Sequence, residues 1–248
     1  MHKKAGFNRE YHKTFSNQLQ CQREMLVFGH AGIPVLFFPT RMARFYDYEN
    51  WKVIDALHHQ LEIGLLQIFC VDSFDAESFY NKALHPAERI QQHLRFEKYI
   101  LFEVLPFIRT KNRHPEITIA GCSLGGYHAL NISLRHPWHF KKVVAMSGRY
   151  DLTVQQTYFD DLFDGFTNED IFLNMPSQYL PALKQKHSIR LLQKLDITIV
   201  IGREDAFLAN NRQLNAVLEA KKIPHHFYIW DGEAHKAKYW REMVKLYL

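Results

Sequence analysis

Short apolar runs punctuate the chain, and most are separated by stretches of helical periodicity. The runs are REMLVFGH (23–30), PVLFFPT (34–40), LLQIFCVD (65–72), ITIAG (117–121), KVVAMSG (142–148), ITIVIG (197–202) and HFYIWDG (226–232). Between them Trp51, Ile54, Leu57 and Leu61 recur at helix spacing. So do Ile90, Leu94, Leu101, Val104, Leu105 and Ile108, and later Phe207, Leu214, Val217 and Leu218. Strands apolar along their whole length need cover on both faces, and strands that alternate with helices pair in parallel. The pattern therefore predicts an α/β chain, with a mostly parallel central sheet and helices on both faces. Only His30-Ala31-Gly32-Ile33 joins the first two runs, too few residues for a helix, which predicts an antiparallel hairpin at the N-terminal edge.

The rhythm breaks between residues 151 and 189. There Tyr158, Phe159, Phe163 and Phe166 stand amid acids, and Pro176 and Pro181 follow. That stretch is too long for a simple loop. It predicts a small insertion or lid on a single domain spanning 1–248, with Phe159, Phe163 and Phe166 expected to anchor it on the core more than to line a pocket.

Composition narrows the partners. The 248 residues are 47% hydrophobic and 23% charged, ordinary values for a globular protein. The net charge of +5 comes from lysines and arginines scattered among acids. Nucleic-acid binding asks instead for a basic stripe and a recognisable module, so none is expected. Cys21, Cys70 and Cys122 are odd in number and show no paired spacing, which favours a reducing compartment over a disulfide framework. The start, MHKKAGFNREYHK, has no apolar core behind its charges. The longest apolar stretches, IPVLFFP and IGLLQIFCV, fall far short of the roughly 20 residues of a membrane span. A cytoplasmic protein without a membrane anchor is the expectation, with self-association as a homo-oligomer left open.

The densest chemical signal is IAGCSLGGYHAL, residues 119–130. Gly121-x-Ser123-x-Gly125 lies between a β-branched strand and a helix, the setting a nucleophile elbow requires. A serine there adopts a strained backbone that lifts its hydroxyl clear, and a side chain at either glycine would strike the neighbouring strand or helix. The helix that follows directs free N–H groups at developing negative charge. A serine hydroxyl needs a base, and the base needs an acid to orient it. Asp205 follows the strand ending at Gly202, and His235 follows the strand ending at Gly232, which gives the chain order Ser, Asp, His of a strand-end triad. Asp151 and Glu204 are alternatives for the acid, but Asp205 follows the next-to-last strand. Among the histidines, His225 and His226 enter the last strand, His128 lies inside the elbow helix, and His30, His58 and His59 precede the serine. Cys122 reads as a small buried residue. The oxyanion donors expected are the backbone N–H groups of Leu124 and of Arg41, in the loop after PVLFFPT. No HExxH, paired-cysteine or carboxylate-rich loop suggests a metal, and the chemistry asks for no cofactor.

These residues resemble the esterase family of the α/β-hydrolase superfamily that includes esterase D (S-formylglutathione hydrolase) and the mycolyltransferases. The marks run from REMLVFGHAG to the C-terminus: FFPT with RFYDYEN, CVDSFDAESFYN, HPAERIQQHLRFEKYI, GCSLGGYHALN, MSGRYD, GREDAFLANNRQLNAVLEAKKIPHHFYIWDGEAH and Trp240. The resemblance implies an α/β-hydrolase fold with nucleophile, acid and base at Ser123, Asp205 and His235, acting on a small-molecule ester through an acyl-enzyme. Two features depart from the family pattern: Arg41-Met42-Ala43-Arg44 where members often carry small residues, and Lys236-Ala237 where Asp-Trp often follows the histidine. The same triad would also serve an acyltransferase, and a non-catalytic binding protein of hydrolase fold is the alternative of another class.

Overall fold

The computed structural model describes residues 6–156 and 158–248. Its strands are β1 (Arg9–Ser16), β2 (Cys21–Phe28), β3 (Ile33–Phe38), β4 (Leu66–Val71), β5 (Thr118–Cys122), β6 (Lys142–Met146), β7 (Asp196–Gly202) and β8 (His226–Trp230). They form one sheet in the order β1-β2-β4-β3-β5-β6-β7-β8. The β1–β2 and β2–β4 pairings are antiparallel and every other pairing is parallel. This is the α/β-hydrolase arrangement: a parallel sheet with an antiparallel N-terminal edge.

The edge is built differently from the expected hairpin of residues 23–30 with 34–40. β2 and β3 do not pair, because β4 lies between them. The link between them passes flush over the entry to β4. A Cβ on Gly32 (φ +91) would stand 2.1 Å from the Leu65 carbonyl carbon, and one on Gly29 (φ +84) 2.6 Å from the Leu66 oxygen. Only glycines allow a backbone to cross that closely with positive φ. The hairpin partner of β2 is β1, whose register pairs Arg9 with Phe28 and Ser16 with Cys21. Its sequence, REYHKTFS, is largely exposed, so it carries no apolar run that periodicity could detect.

Alternate residues of the inner strands feed opposite faces of the sheet, as the pleat requires. Leu36 and Phe38 join one core with Phe69, Ile119 and Val143, while Val35 and Phe37 join the other with Ile68, Ala120 and Val144. The helical pattern at residues 51–61 is broken into two short turns of helix, Asp55–Leu57 and His58–Glu62, with a separate one before it at Asp47–Asn50. Lys52, at φ 61, interrupts it, although Ile54, Leu57 and Leu61 are fully buried.

Residues 151–189 hold the short helices Glu169–Phe172 and Pro176–Ala182 and most of Lys186–Leu192. A third apolar cluster anchors this segment on the elbow helix: Phe163 and Leu162 pack with Leu124, Tyr127 and Phe79, and Phe166 against its edge. Phe159 instead faces the cleft described below. Among the described residues no helix is long and apolar enough to cross a membrane.

Candidate active site

Ser123 stands between β5 and the helix Leu124–Arg135, at φ 56 and ψ −123, a conformation few L-residues adopt. The surroundings hold it there. Its N–H donates to the Met146 carbonyl at 2.8 Å, extending the β5–β6 ladder by one bond. Beneath the turn the Tyr48 hydroxyl donates to the Phe38 carbonyl at 2.8 Å and accepts the Cys122 N–H at 3.0 Å. Both flanking glycines are at contact limits. A Cβ on Gly121 would lie 2.2 Å from the Gly125 carbonyl, and one on Gly125 2.3 Å from the Phe38 oxygen. Cys122 is fully buried, and burial pushes its thiol pKa up. It is thereby kept protonated, a packing residue.

The last two parallel strands deliver the partners. The Ser123 hydroxyl donates to His235 Nε2 at 2.9 Å, and His235 Nδ1 donates to Asp205 Oδ2 at 2.7 Å. The second Asp205 oxygen accepts the Phe207 N–H at 2.9 Å, so both carboxylate oxygens have a donor. The Asp205 side chain is only 1% exposed, His235 17%. The loop carrying His235 lies directly on the end of β7: a Cβ on Gly202 would sit 2.0 Å from the Glu233 oxygen. Ser147 Oγ donates to the Ala234 carbonyl at 2.8 Å and accepts Trp240 Nε1–H at 3.2 Å, which ties the residue before His235 to the sheet.

The competing groups are engaged elsewhere. The Asp151 carboxylate accepts from Thr153 and from Gln178, Glu204 is exposed, and His225 bonds Asn215. His128, buried in the elbow helix, meets Asp75 at 3.4 Å.

Leu124 and Arg41 both line the cleft with Ser123. Neither backbone N–H has a hydrogen-bond partner among the described residues. The Ala43 N–H bonds back to the Thr40 carbonyl, closing a turn in which Met42 takes φ 57. That position suits glycine, so methionine holds it at a strain of about 1 kcal/mol. The compensating bond runs from the Met42 N–H to Asp75 Oδ2 at 2.8 Å. Arg44, in the same segment, serves structure: it pairs with Asp72 and Glu24, each at 2.8 Å.

Two residues that the sequence did not single out belong to this site. Asp75, 2% exposed, fixes the Arg41–Met42 turn. Arg149, 5% exposed, forms part of the cleft wall. Each lies just beyond the C-terminal end of a parallel strand, where sites on such sheets collect. That position was the available signal. The cleft encloses about 250 Å³, with Phe159, Phe207 and Leu162 among its apolar walls. No cluster of three or more His, Cys, Asp or Glu side chains among the described residues is arranged to hold a metal ion.

The fold agrees with comparisons to known proteins. The family model described as Putative esterase matches residues 16–245. No curated protein sequence matches the chain. Among solved structures, a ferulic acid esterase superposes with a TM-score of 0.77 at 17% identity, covering 97% of this chain and 96% of that one. The S-formylglutathione hydrolase of Agrobacterium tumefaciens gives 0.69 at 15% identity, covering 99% and 96%. The fluorophosphonate-binding serine hydrolase F of Staphylococcus aureus gives 0.68 at 16% identity, covering 98% and 97%. With the family matched over nearly its whole length, this chain belongs to the Esterase family and is a carboxylic-ester hydrolase of α/β-hydrolase fold.

Proposed function

We propose that the enzyme cleaves small-molecule carboxylic esters through an acyl-enzyme on Ser123. The observation that carries this reading is the unbroken row of hydrogen bonds from Ser123 Oγ through both nitrogens of His235 to Asp205, 2.9 and 2.7 Å long. In the first half-reaction His235 Nε2 takes the hydroxyl proton as Oγ adds to the ester carbonyl carbon. Asp205 holds Nδ1 protonated, so that Nε2 is the free base, and stabilises the imidazolium that forms. The unengaged N–H groups of Leu124 and Arg41 receive the oxyanion. Collapse of the tetrahedral adduct breaks the ester C–O bond, and the alcohol leaves with the proton from Nε2. Water then adds to the acyl-enzyme by the same route and releases the acid. In this reading residues 151–189 roof the cleft through Leu152, Phe159 and Leu162. The three cysteines, all unpaired thiols, support work in a reducing, cytoplasmic compartment.

The test is hydrolysis of p-nitrophenyl acetate, with covalent labelling by a fluorophosphonate. Ser123→Ala should lower kcat/KM by about four orders of magnitude and abolish labelling. Equal rates in wild type and variant, or a label on another residue, would refute the assignment.

A further inference from the structure

Arg149 is a buried cation with no ion-pair partner among the described residues. Its Nε donates to the Asp151 carbonyl, and its Nη2 to the carbonyls of Leu152, Val154 and Asp160 at 2.6–3.1 Å. Nη1 has no protein partner among the described residues, and no carboxylate there lies within ion-pair distance of the guanidinium. The nearby Asp151 and Asp161 carboxylates are taken up by Thr153 and Gln178, and by the N–H groups of Phe163 and Gly165. Burial pulls the Arg149 pKa below its ordinary value, more than the surrounding aspartates and Tyr80 restore. Its guanidinium also lies 5.5 Å from the centre of the Phe207 ring.

A second guanidinium borders the same cleft. Arg41 forms no ion pair among the described residues and lies over Tyr80 at 5.7 Å and Phe159 at 5.9 Å. The Tyr80 phenol feels both arginines, which pull its pKa down against the larger upward push of burial. Two cations thus border about 250 Å³ of cleft that also contains the Ser123 hydroxyl. An isolated buried charge is costly and calls for a paired partner. A guanidinium with one free nitrogen can give a carboxylate a charge-assisted hydrogen bond.

Resting on the esterase reading above, we propose that the substrate is an ester bearing a free carboxylate, bound by Arg149 and Arg41 beside Ser123. The carboxylate can sit on the acyl or on the alcohol arm, and two matched substrate pairs separate these. Mono-4-nitrophenyl adipate against its terminal amide tests the acyl arm. 4-Acetoxybenzoate against 4-acetoxybenzamide tests the alcohol arm. After correction for spontaneous hydrolysis, kcat/KM of the wild type should favour the carboxylate of one pair by about 10-fold or more, the worth of one charge-assisted hydrogen bond.

Arg149→Gln and Arg41→Gln should each bring that ratio down by about 10-fold. Arg149 also holds the carbonyls of Asp151, Leu152, Val154 and Asp160, so its variant could fail to fold, whereas Arg41 is exposed and its variant tests the ratio alone. If Arg149 only braced the loop, its variant would slow both members of a pair equally. An unchanged ratio, or a wild type that favours the amides, overturns the proposal. Calorimetric titration of Ser123→Ala protein with the four compounds reads binding without turnover. Failure of the esterase reading appears as turnover that survives Ser123→Ala. Failure of the present one appears as equal binding of carboxylate and amide.

Discussion

Asp75 Oδ2 accepts the Met42 N–H at 2.8 Å, and through that bond the loop after β4 sets the turn after β3 that presents the Arg41 N–H. Asp75 touches no reacting atom in the proposed mechanism, so it is a positioning residue. Asp75→Ala should lower kcat by about 10–100-fold, the loss typical of a misplaced oxyanion donor or less, with a smaller change in KM. Asp75→Asn keeps an amide oxygen able to accept from Met42 and should recover most of the rate. Steady-state kinetics on p-nitrophenyl acetate decide it. Equal losses in the two variants, or a loss confined to KM, would remove the role.

Most of the site was legible for a local reason. Ser123, Asp205 and His235 each follow an apolar run directly, and a strand end marked by Gly121, Gly202 or Gly232 is visible within a few residues of sequence. What escaped depended on contacts far apart in the chain. The insertion of β4 between β2 and β3 is decided by pairing across some forty residues, and only Gly29 and Gly32 hint at the crossing. β1 escaped because an exposed edge strand needs no apolar face. Asp75 and Arg149 sit in loops whose composition looks like surface, and their burial follows from how the 151–189 segment and the elbow helix close over them. The split of residues 51–61 into short turns turns on Lys52, whose positive φ no propensity announces.

His235 is also steadied from behind. Trp240 Nε1–H donates to Ser147 Oγ, which in turn donates to the Ala234 carbonyl. All three residues are buried. Ser147→Ala leaves an indole N–H and a carbonyl without partners, at a cost of about 1–3 kcal/mol each. The melting temperature should fall accordingly, and kcat should drop several-fold as the His235 loop loosens. Trp240→Phe strands no donor and should cost less stability. A Ser147→Ala protein as stable and active as wild type would show the bridge to be idle.

Acid should weaken the fold over two successive pH ranges. His93 is fully buried, and burial together with the charge of His128 holds its pKa down to about 3 from 6.5. Between those values the unfolded chain binds a proton that the folded one refuses, so stability falls as the pH drops below about 6.5. For Glu97 burial alone would raise the pKa, but hydrogen bonds from His136 and Arg135 and the Arg135 charge carry it down to about 2 from 4.5. Its contribution is present above 4.5 and is lost as the pH falls toward 2. Urea midpoints measured from pH 7 to 3 should decline from about 6.5 and more steeply below 4.5. His93→Gln should flatten the first part of the curve. A flat wild-type profile between pH 6.5 and 4.5 would contradict the His93 assignment.

The two glycines that open the elbow helix should respond unequally to an added methyl. Alanine at either position gains about 1 kcal/mol of helix propensity, so the difference isolates the local contact. At Gly125 the new Cβ meets the Phe38 oxygen at 2.3 Å and the Pro39 oxygen at 2.5 Å, both backbone atoms that cannot rotate aside. Relief requires the end of β3 to move off the elbow, which carries the Arg41 N–H away from Ser123. At Gly126 the nearest atoms are also backbone but farther off, the Met146 oxygen at 3.1 Å and the Gly121 oxygen at 3.3 Å, contacts that ask for a shift of only a few tenths of an ångström. Gly125→Ala should therefore destabilise by several kcal/mol, in the range of overpacked cores, and lose at least about 100-fold in kcat. Gly126→Ala should stay within about 1 kcal/mol of wild type and keep most of its activity. Thermal unfolding and kinetics of the pair, measured side by side, test the ordering. A Gly125→Ala enzyme as fast and as stable as Gly126→Ala would mean that β3 and the elbow do not need to touch for Ser123 to be held in place.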